Sequence, residues 1–208
     1  MITNAAYRSR AVWLPPAVLI ALLLLVACGG EPARELLRYD RAAVAGGEWW
    51  RLVTCSFVHL GWWHLLLNEI GVLVLVLLCP EPLSGGVWVR RILLLALGMG
   101  VALHFLVPTA AWYVGFSGVA HGLFLLGLGR QLKMEKDLIA LGCLAFLVGK
   151  IGWELFAGAP LSDEQAIGGK VLVESHLYGS LSALLYGLIF GAFTRVETFR
   201  RPRQREAT

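Results

Sequence analysis

Apolar runs close to membrane-spanning length recur along the whole chain, at about 11–28, 60–79, 88–107, 117–130, 138–157 and 172–193. Lipid offers the backbone no hydrogen-bond partner, so only helices or closed barrels satisfy it there. Barrel strands would be about 10 residues long with alternating polarity, and these runs do not alternate. Helices of roughly 20 residues fit instead. The pattern therefore predicts an all-α polytopic membrane protein of six transmembrane helices. The fourth run is short, and the second and sixth carry polar residues, so those three spans rest partly on pattern. A single membrane domain over 1–208 is expected, with a core of about 11–193, a short cytoplasmic N-terminal tail (1–10) and a basic C-terminal tail (194–208). No stretch is left over for a separate soluble domain.

Composition agrees. The chain is 58% hydrophobic and only 15% charged, with a mean hydropathy of +0.70. A soluble domain of this size could not cover so much apolar surface, so lipid must be part of the solvent. The net charge of +4 is distributed by side. With the N-terminus inside, Arg8, Arg10, Arg90, Arg91, Arg130, Lys133, Lys136, Arg195, Arg200, Arg201, Arg203 and Arg205 lie on inner segments. Only Arg34, Arg38, Arg41, Arg51 and Lys170 lie on outer ones, and Lys150 is within a span. This bias favours both termini in the cytoplasm, and it explains the positive charge better than nucleic-acid binding does.

The connections carry fewer signals. The first outer loop, about 29–59, is the long one. It contains a Gly46-Gly47 turn and a tryptophan-rich stretch, with Trp49, Trp50, Trp62 and Trp63 placed as an interfacial belt. Pro80, Pro82, Gly85 and Gly86 mark an inner turn, and Pro108 ends the third span. Cys28, Cys55, Cys79 and Cys143 show no metal spacing and read as small buried residues. Leu25-Val26-Ala27-Cys28 also resembles a bacterial lipoprotein cleavage site, whose processing would remove the first span. A span that merely ends in small residues explains it as well. No repeat or inverted pair is evident, which counts against a transporter.

Three polar islands interrupt the apolar runs. In Gly115-Phe116-Ser117-Gly118-Val119-Ala120-His121-Gly122, a hydroxyl sits at the outer mouth of the fourth span between glycines that allow close backbone approach. Gly118 and Gly122, four apart, also form a small-residue packing face. In Glu174-Ser175-His176-Leu177-Tyr178-Gly179, an ionisable ring lies near the outer end of the sixth span. Such a group generally faces protein or water. Gly179 and Ala183 would let that helix approach the fourth closely, and Ser117 and His176 fall at similar depths. A serine is a weak nucleophile until a base takes its proton, which His176 could supply. In the second span, His64 and Asn68 share one helix face. They suit either an oxyanion hole or a polar clamp between helices.

Several polar residues read more quietly. His59 and His64 could ligate a metal on paper, but no third ligand is apparent, and no metal or cofactor is expected. Glu69 is an intramembrane acid without a nameable partner. Lys150 and Glu154, four apart, most simply pair or snorkel toward the outer surface. His104 reads as interfacial.

Trp50-Arg51, Phe57, His59, His64 with Asn68, Gly115-Phe116-Ser117-Gly118, and His176 with Gly179 together resemble the rhomboid intramembrane serine proteases over roughly 48–190. The resemblance implies a six-helix rhomboid-like bundle and a Ser117–His176 dyad without a required acidic third member. It also implies an oxyanion site from His64, Asn68 and the Ser117 N–H, with Gly115 shaping the loop. Where typical rhomboids carry an aromatic residue one turn after the serine, this chain has His121. That form, with Glu174-Ser175-His176, resembles the rhombosortase branch, associated with substrates ending in a Gly-Gly motif, a single span and a basic tail. His121 could stack on His176 or share its proton, or else pack and hydrogen-bond. Glu174 is two residues from His176 on a helix, points elsewhere, and stays outside the site.

The expected activity is proteolysis of such membrane-anchored proteins at the bacterial inner membrane, with the active site opening to the periplasm. The expected partners are that substrate and the bilayer, without nucleic acid. A transferase sharing the acyl-enzyme, a rhomboid with other single-span substrates, a non-catalytic rhomboid-like binding protein, and a transporter are the competing readings. The sequence leaves the oligomeric state open.

Overall fold

The computed structural model describes residues 7–193; the basic tail inferred from sequence and the first six residues lie outside the described segment. The described residues contain six helices of 17 to 22 residues: α1 (Arg10–Ala27), α2 (Trp62–Leu78), α3 (Gly85–Leu106), α4 (Ser117–Glu135), α5 (Leu138–Ala157) and α6 (Glu174–Phe190). They coincide with the six apolar runs. The protein is an all-α polytopic membrane bundle. By length and hydropathy alone, α1, α3 and α5 can each cross a membrane. A fourth crossing arises if α2 is joined across an 89° bend to Arg51–Phe57.

Local chemistry starts and stops these helices. Ser84 accepts from Val87 N–H to open α3 three residues earlier than the apolar run suggested. Asp137 accepts from the N–H groups of Ile139 and Ala140 at the start of α5, a side-chain cap worth about 1 kcal/mol. Glycines in the left-handed conformation end α5 (Gly158, φ 66°) and α6 (Gly191, φ 66°). The run read as 117–130 continues to Glu135. Its polar end is held by protein: Gln131 donates to the Leu78 carbonyl, and Arg130 stands 3.4 Å from Glu81.

The least apolar helices, α4 and α6, form the most extensive helix pair among the described residues. Polar groups at membrane depth avoid lipid by facing protein: α6 buries Ser175, His176, Gly179 and Ser180 and turns Leu181, Leu185, Leu188 and Ile189 outward into an apolar belt. Phe156 of α5, 88% exposed, and Leu14, Leu188 and Phe146 belong to that outer belt. Trp49, Trp50, Trp62 and Trp63 are exposed, as expected of an interfacial set.

Small residues set the distance between the central helices. A Cβ on Gly118 would meet the Ser175 carbonyl and Met99 Sδ, and one on Gly179 would run into the Gly118 carbonyl. At Gly122 it would stand 2.6 Å from the Gly179 carbonyl and 3.3 Å from Ala183 Cβ. The two backbones touch directly, which only glycine permits.

The outer loop, read from sequence as a turn plus an amphipathic stretch, is a folded cap. It holds short helices at Gly30–Leu37, Arg41–Ala45 and Arg51–Thr54 and a tight turn at Cys55–Phe57. Its strand β1 (Tyr39–Asp40) pairs antiparallel with β2 (Trp112–Tyr113), with Tyr39 opposite Tyr113. Arg41 donates to the carbonyls of Leu103, His104, Val107 and Ala110, covering acceptors that the end of α3 leaves open. Arg51 donates to Glu48 and to the carbonyls of Glu35 and Arg38. The cap thereby fastens the 107–116 segment that leads into Ser117.

Candidate active site

Ser117 is the first residue of α4, preceded by Phe116 in helical conformation, and its side chain does not cap its own helix. The hydroxyl points across to α6, with Oγ 3.1 Å from His176 Nε2. The first N–H groups of α4 have no partner within the helix, so backbone donors are left open at the helix end that carries Ser117. Just upstream, Gly115 has φ +127°, and a Cβ there would stand 2.9 Å from His64 Cε1 and 3.0 Å from Nε2. Both the backbone and the space require glycine. Gly115 N–H donates to the Cys55 carbonyl, and Tyr113 Oη donates to the Gly115 carbonyl at 2.8 Å. Burial pushes the Tyr113 phenol up to about 12, so the hydroxyl keeps the proton it donates.

His64, on α2, comes to this loop through Gly115. The Leu60 N–H donates to His64 Nδ1 at 3.4 Å, which leaves the proton on Nε2, the nitrogen facing Gly115. A donor is therefore aimed at the Ser117 loop. Asn68 is buried one turn further along α2, and its amide donates to the His64 carbonyl at 2.9 Å. One of its two N–H groups thus supports the helix that carries His64. His59 packs edge-on against His64, with ring centroids 5.1 Å apart, and Phe57 lies 6.4 Å from Phe116.

His121, one turn after Ser117, stacks on His176 with centroids 4.0 Å apart and planes 14° from parallel. Its Nδ1 lies 2.7 Å from the Ser117 carbonyl. The two alternatives left open by sequence, stacking and hydrogen bonding, occur together. The other face of the site is built by α5. Glu154, 1% exposed, places Oε2 2.8 Å from His176 Nδ1. Its Oε1 accepts from Lys150 Nζ at 2.7 Å, and the same ammonium lies 3.0 Å from His121 Nε2. Lys150 and Glu154 pair as their spacing suggested, but the pair points inward to the histidines, and the snorkelling alternative is incorrect. Their stripe continues the buried Leu147 and Ile151, so the face of α5 that meets α4 includes them.

The ligand atoms of His121, Glu154 and His176 all lie within 4.8 Å of one another. A cation is already supplied there by Lys150, and a metal ion would have to displace its ammonium from Glu154. His59 and His64 gain no third ligand from the fold among the described residues.

A protein-family model for the rhomboid domain matches residues 46–193. This chain belongs to the rhomboid family. It is also 34% identical over 95 residues to "Putative rhomboid protease YdcA" of Bacillus subtilis (strain 168), a match covering 44% of this chain and 46% of that protein. The chain thus spans about half the length of the curated relative it matches. The matched region covers every residue of the cluster, from His64 to His176, and leaves out residues 1–45, which hold the first span and the start of the cap, and the C-terminal end.

The contributors that this rhomboid's sequence does not mark are the Lys150–Glu154 pair, which reads there as structural, and Tyr113. The i,i+4 spacing of Lys150 and Glu154 inside an otherwise apolar span was the available signal for the first. An intramembrane acid is a functional candidate by default. Glu69, singled out on the same ground, is half-buried on α2 and has no contact with the serine or histidine among those described. Glu174 opens α6 in its first turn, and the carboxylate that meets His176 is Glu154.

Proposed function

We propose that this chain is a rhomboid-type serine endopeptidase that works within the membrane. Its substrate would be an exported protein with a Gly-Gly motif, a single C-terminal span and a basic tail, cut near that span. The observation that carries the reading is the 3.1 Å approach of Ser117 Oγ to His176 Nε2 at the outer end of the bundle. The substrate class rests on His121 in the Ser-Gly-Val-Ala-His-Gly motif and on Glu174-Ser175-His176, the features of the rhombosortase branch.

In this mechanism Ser117 Oγ attacks the scissile carbonyl carbon and His176 Nε2 takes the hydroxyl proton. The negative charge gathers on the carbonyl oxygen, where the Ser117 N–H, the His64 Nε2–H and the remaining Asn68 N–H are candidate donors. Preorganised donors at such a position contribute roughly 3–4 kcal/mol each. His176 then gives its proton to the leaving amine as the C–N bond breaks. Water from the outer side adds to the acyl-enzyme carbonyl as His176 accepts its proton; the ester bond to Ser117 Oγ then breaks, His176 returns the proton to Oγ, and the new C-terminus is released. A small Gly-Gly site suits a crowded cleft, since a helical substrate must unwind to present its carbonyl. The basic inner segments support a chain with both termini in the cytoplasm and the site facing the periplasm of a bacterial inner membrane.

Ser117→Ala and His176→Ala are each expected to abolish cleavage of a Gly-Gly-tailed substrate while the protein still inserts. Full activity in either purified variant would sink the assignment. Mass analysis of the new C-terminus separates hydrolysis from transfer to another nucleophile.

A further inference from the structure

We propose that Glu154 and Lys150 of α5 are positioning residues that align His176 and His121, so that the dyad works as part of a relay anchored on an acid. This inference rests on the reading of Ser117 as nucleophile and His176 as base. With Glu154 ionised, Lys150 charged and His176 neutral, the short hydrogen bonds fix where each ring proton sits, and the 3.5 Å approach of Lys150 Nζ to His176 Nδ1 is then a contact without a hydrogen bond. Ionised Glu154 only accepts, so His176 Nδ1 must carry its proton toward Oε2 at 2.8 Å. Nε2 then has its lone pair free for the Ser117 hydroxyl at 3.1 Å. Lys150 only donates, so His121 Nε2 must accept from it at 3.0 Å. His121 Nδ1 is left to donate to the Ser117 carbonyl at 2.7 Å. One ion pair thus sets both tautomers: that of His176 leaves Nε2 free to take the Ser117 proton, and that of His121 ties the ring stacked on His176 to the Ser117 carbonyl.

The charges follow the same logic. Before reaction, Lys150 and Glu154 cancel, which lets a carboxylate remain in a nearly dry site. When Ser117 loses its proton, a positive charge forms on His176. The carboxylate is hydrogen-bonded to that ring, whereas the Lys150 ammonium stands farther off, 3.5 Å from Nδ1. The acid therefore stabilises the imidazolium more than the lysine opposes it. No atom of Glu154 or Lys150 need touch the substrate. Because both sit on α5, any displacement of that helix from α4 would loosen the alignment of His176.

The test is a tautomer measurement joined to kinetics, on the full chain in detergent or liposomes. With ¹⁵N-labelled histidine, wild-type His176 should show a protonated Nδ1 in a far-downfield hydrogen bond and an unprotonated Nε2. Glu154→Gln should lose that signal and lower kcat by roughly 10²–10⁴-fold with little change in KM, the size seen when an acid that sets a histidine tautomer is neutralised. Lys150→Met should disorder the His121 Nδ1 bond and lower kcat by about tenfold or more. Glu154→Asp, a worse fit but still charged, should be faster than the isosteric glutamine, an order that a purely packing role would reverse. An Nε2-protonated His176 in the wild type, or Glu154→Gln with wild-type kcat, would overturn the inference. If Glu154→Gln fails to insert, the wild-type spectrum and the charge-neutral Glu154→Gln/Lys150→Met pair decide the question. The spectrum needs no turnover, so a protein that cleaves nothing would defeat the protease reading and leave this one to stand or fall on the tautomer.

Discussion

Gly179→Ala adds a single methyl group where α4 and α6 touch. That Cβ would lie inside the 3.0 Å that real Cβ contacts do not enter, and its obstacle is the Gly118 carbonyl, a backbone atom that cannot swing aside. The helices must part by about 1 Å or more to reach ordinary van der Waals distance. Gly118 follows Ser117 directly, and Gly179 lies three residues after His176, so the opening falls at the proposed Ser117–His176 dyad. The Ser117 Oγ to His176 Nε2 distance of 3.1 Å would stretch past 4 Å, beyond hydrogen-bond range. Misplacement of that size lowers rates by roughly 100-fold. Stability responds differently. Overpacking destabilises by about 1–3 kcal/mol, while replacing a helical glycine by alanine returns about 1 kcal/mol. The net loss of about 0–2 kcal/mol lowers the melting temperature by at most roughly 8 °C, while kcat falls steeply. Initial rates on a fluorogenic single-span substrate in proteoliposomes, with fluorophosphonate labelling of Ser117 to count competent sites, and a thermal melt measure both quantities. A variant that cleaves within twofold of wild type would refute the argument that glycine-set helix spacing aligns the pair.

Two further outcomes are expected. His64→Ala removes a donor facing the Gly115 loop and should lower kcat by about 10²–10³-fold with the melting temperature nearly unchanged; a change confined to KM would show that His64 only shapes the cleft. Arg41→Met uncovers four carbonyls of the α3 end and the following loop and should destabilise the protein by roughly 2–3 kcal/mol. Denaturation followed by tryptophan fluorescence checks this, and an unchanged midpoint would show that water replaces the guanidinium without loss.

The positive-inside count set five basic residues against the bias, and the fold accounts for most of them. Arg41 and Arg51 spend their charge on backbone carbonyls of the outer cap. Arg34 and Arg38 pair with Glu31 and Glu35. Arginine in this cap is structural glue, which a count of charges along a chain has no means to express.

The sequence by itself determined the six helices, because mean apolarity and run length are local quantities, and lipid allows few alternatives to helix. It also determined which groups were out of place in lipid: Ser117, His121, His176, His64, Asn68, Lys150 and Glu154 stand out against the apolar runs that carry them. Matching depths of Ser117 and His176 followed from counting residues along two helices with the same direction. Only the tertiary structure decided what each polar face meets, since that depends on how a helix is rotated about its own axis. Lys150 and Glu154 have the same i,i+4 spacing whether they snorkel to water or turn inward, and the packing of α5 against α4 aims them at His121 and His176. Two helices brought together at glycines 118 and 179, and a third rotated to present an acid, converted a row of separate polar residues into one connected set of hydrogen bonds.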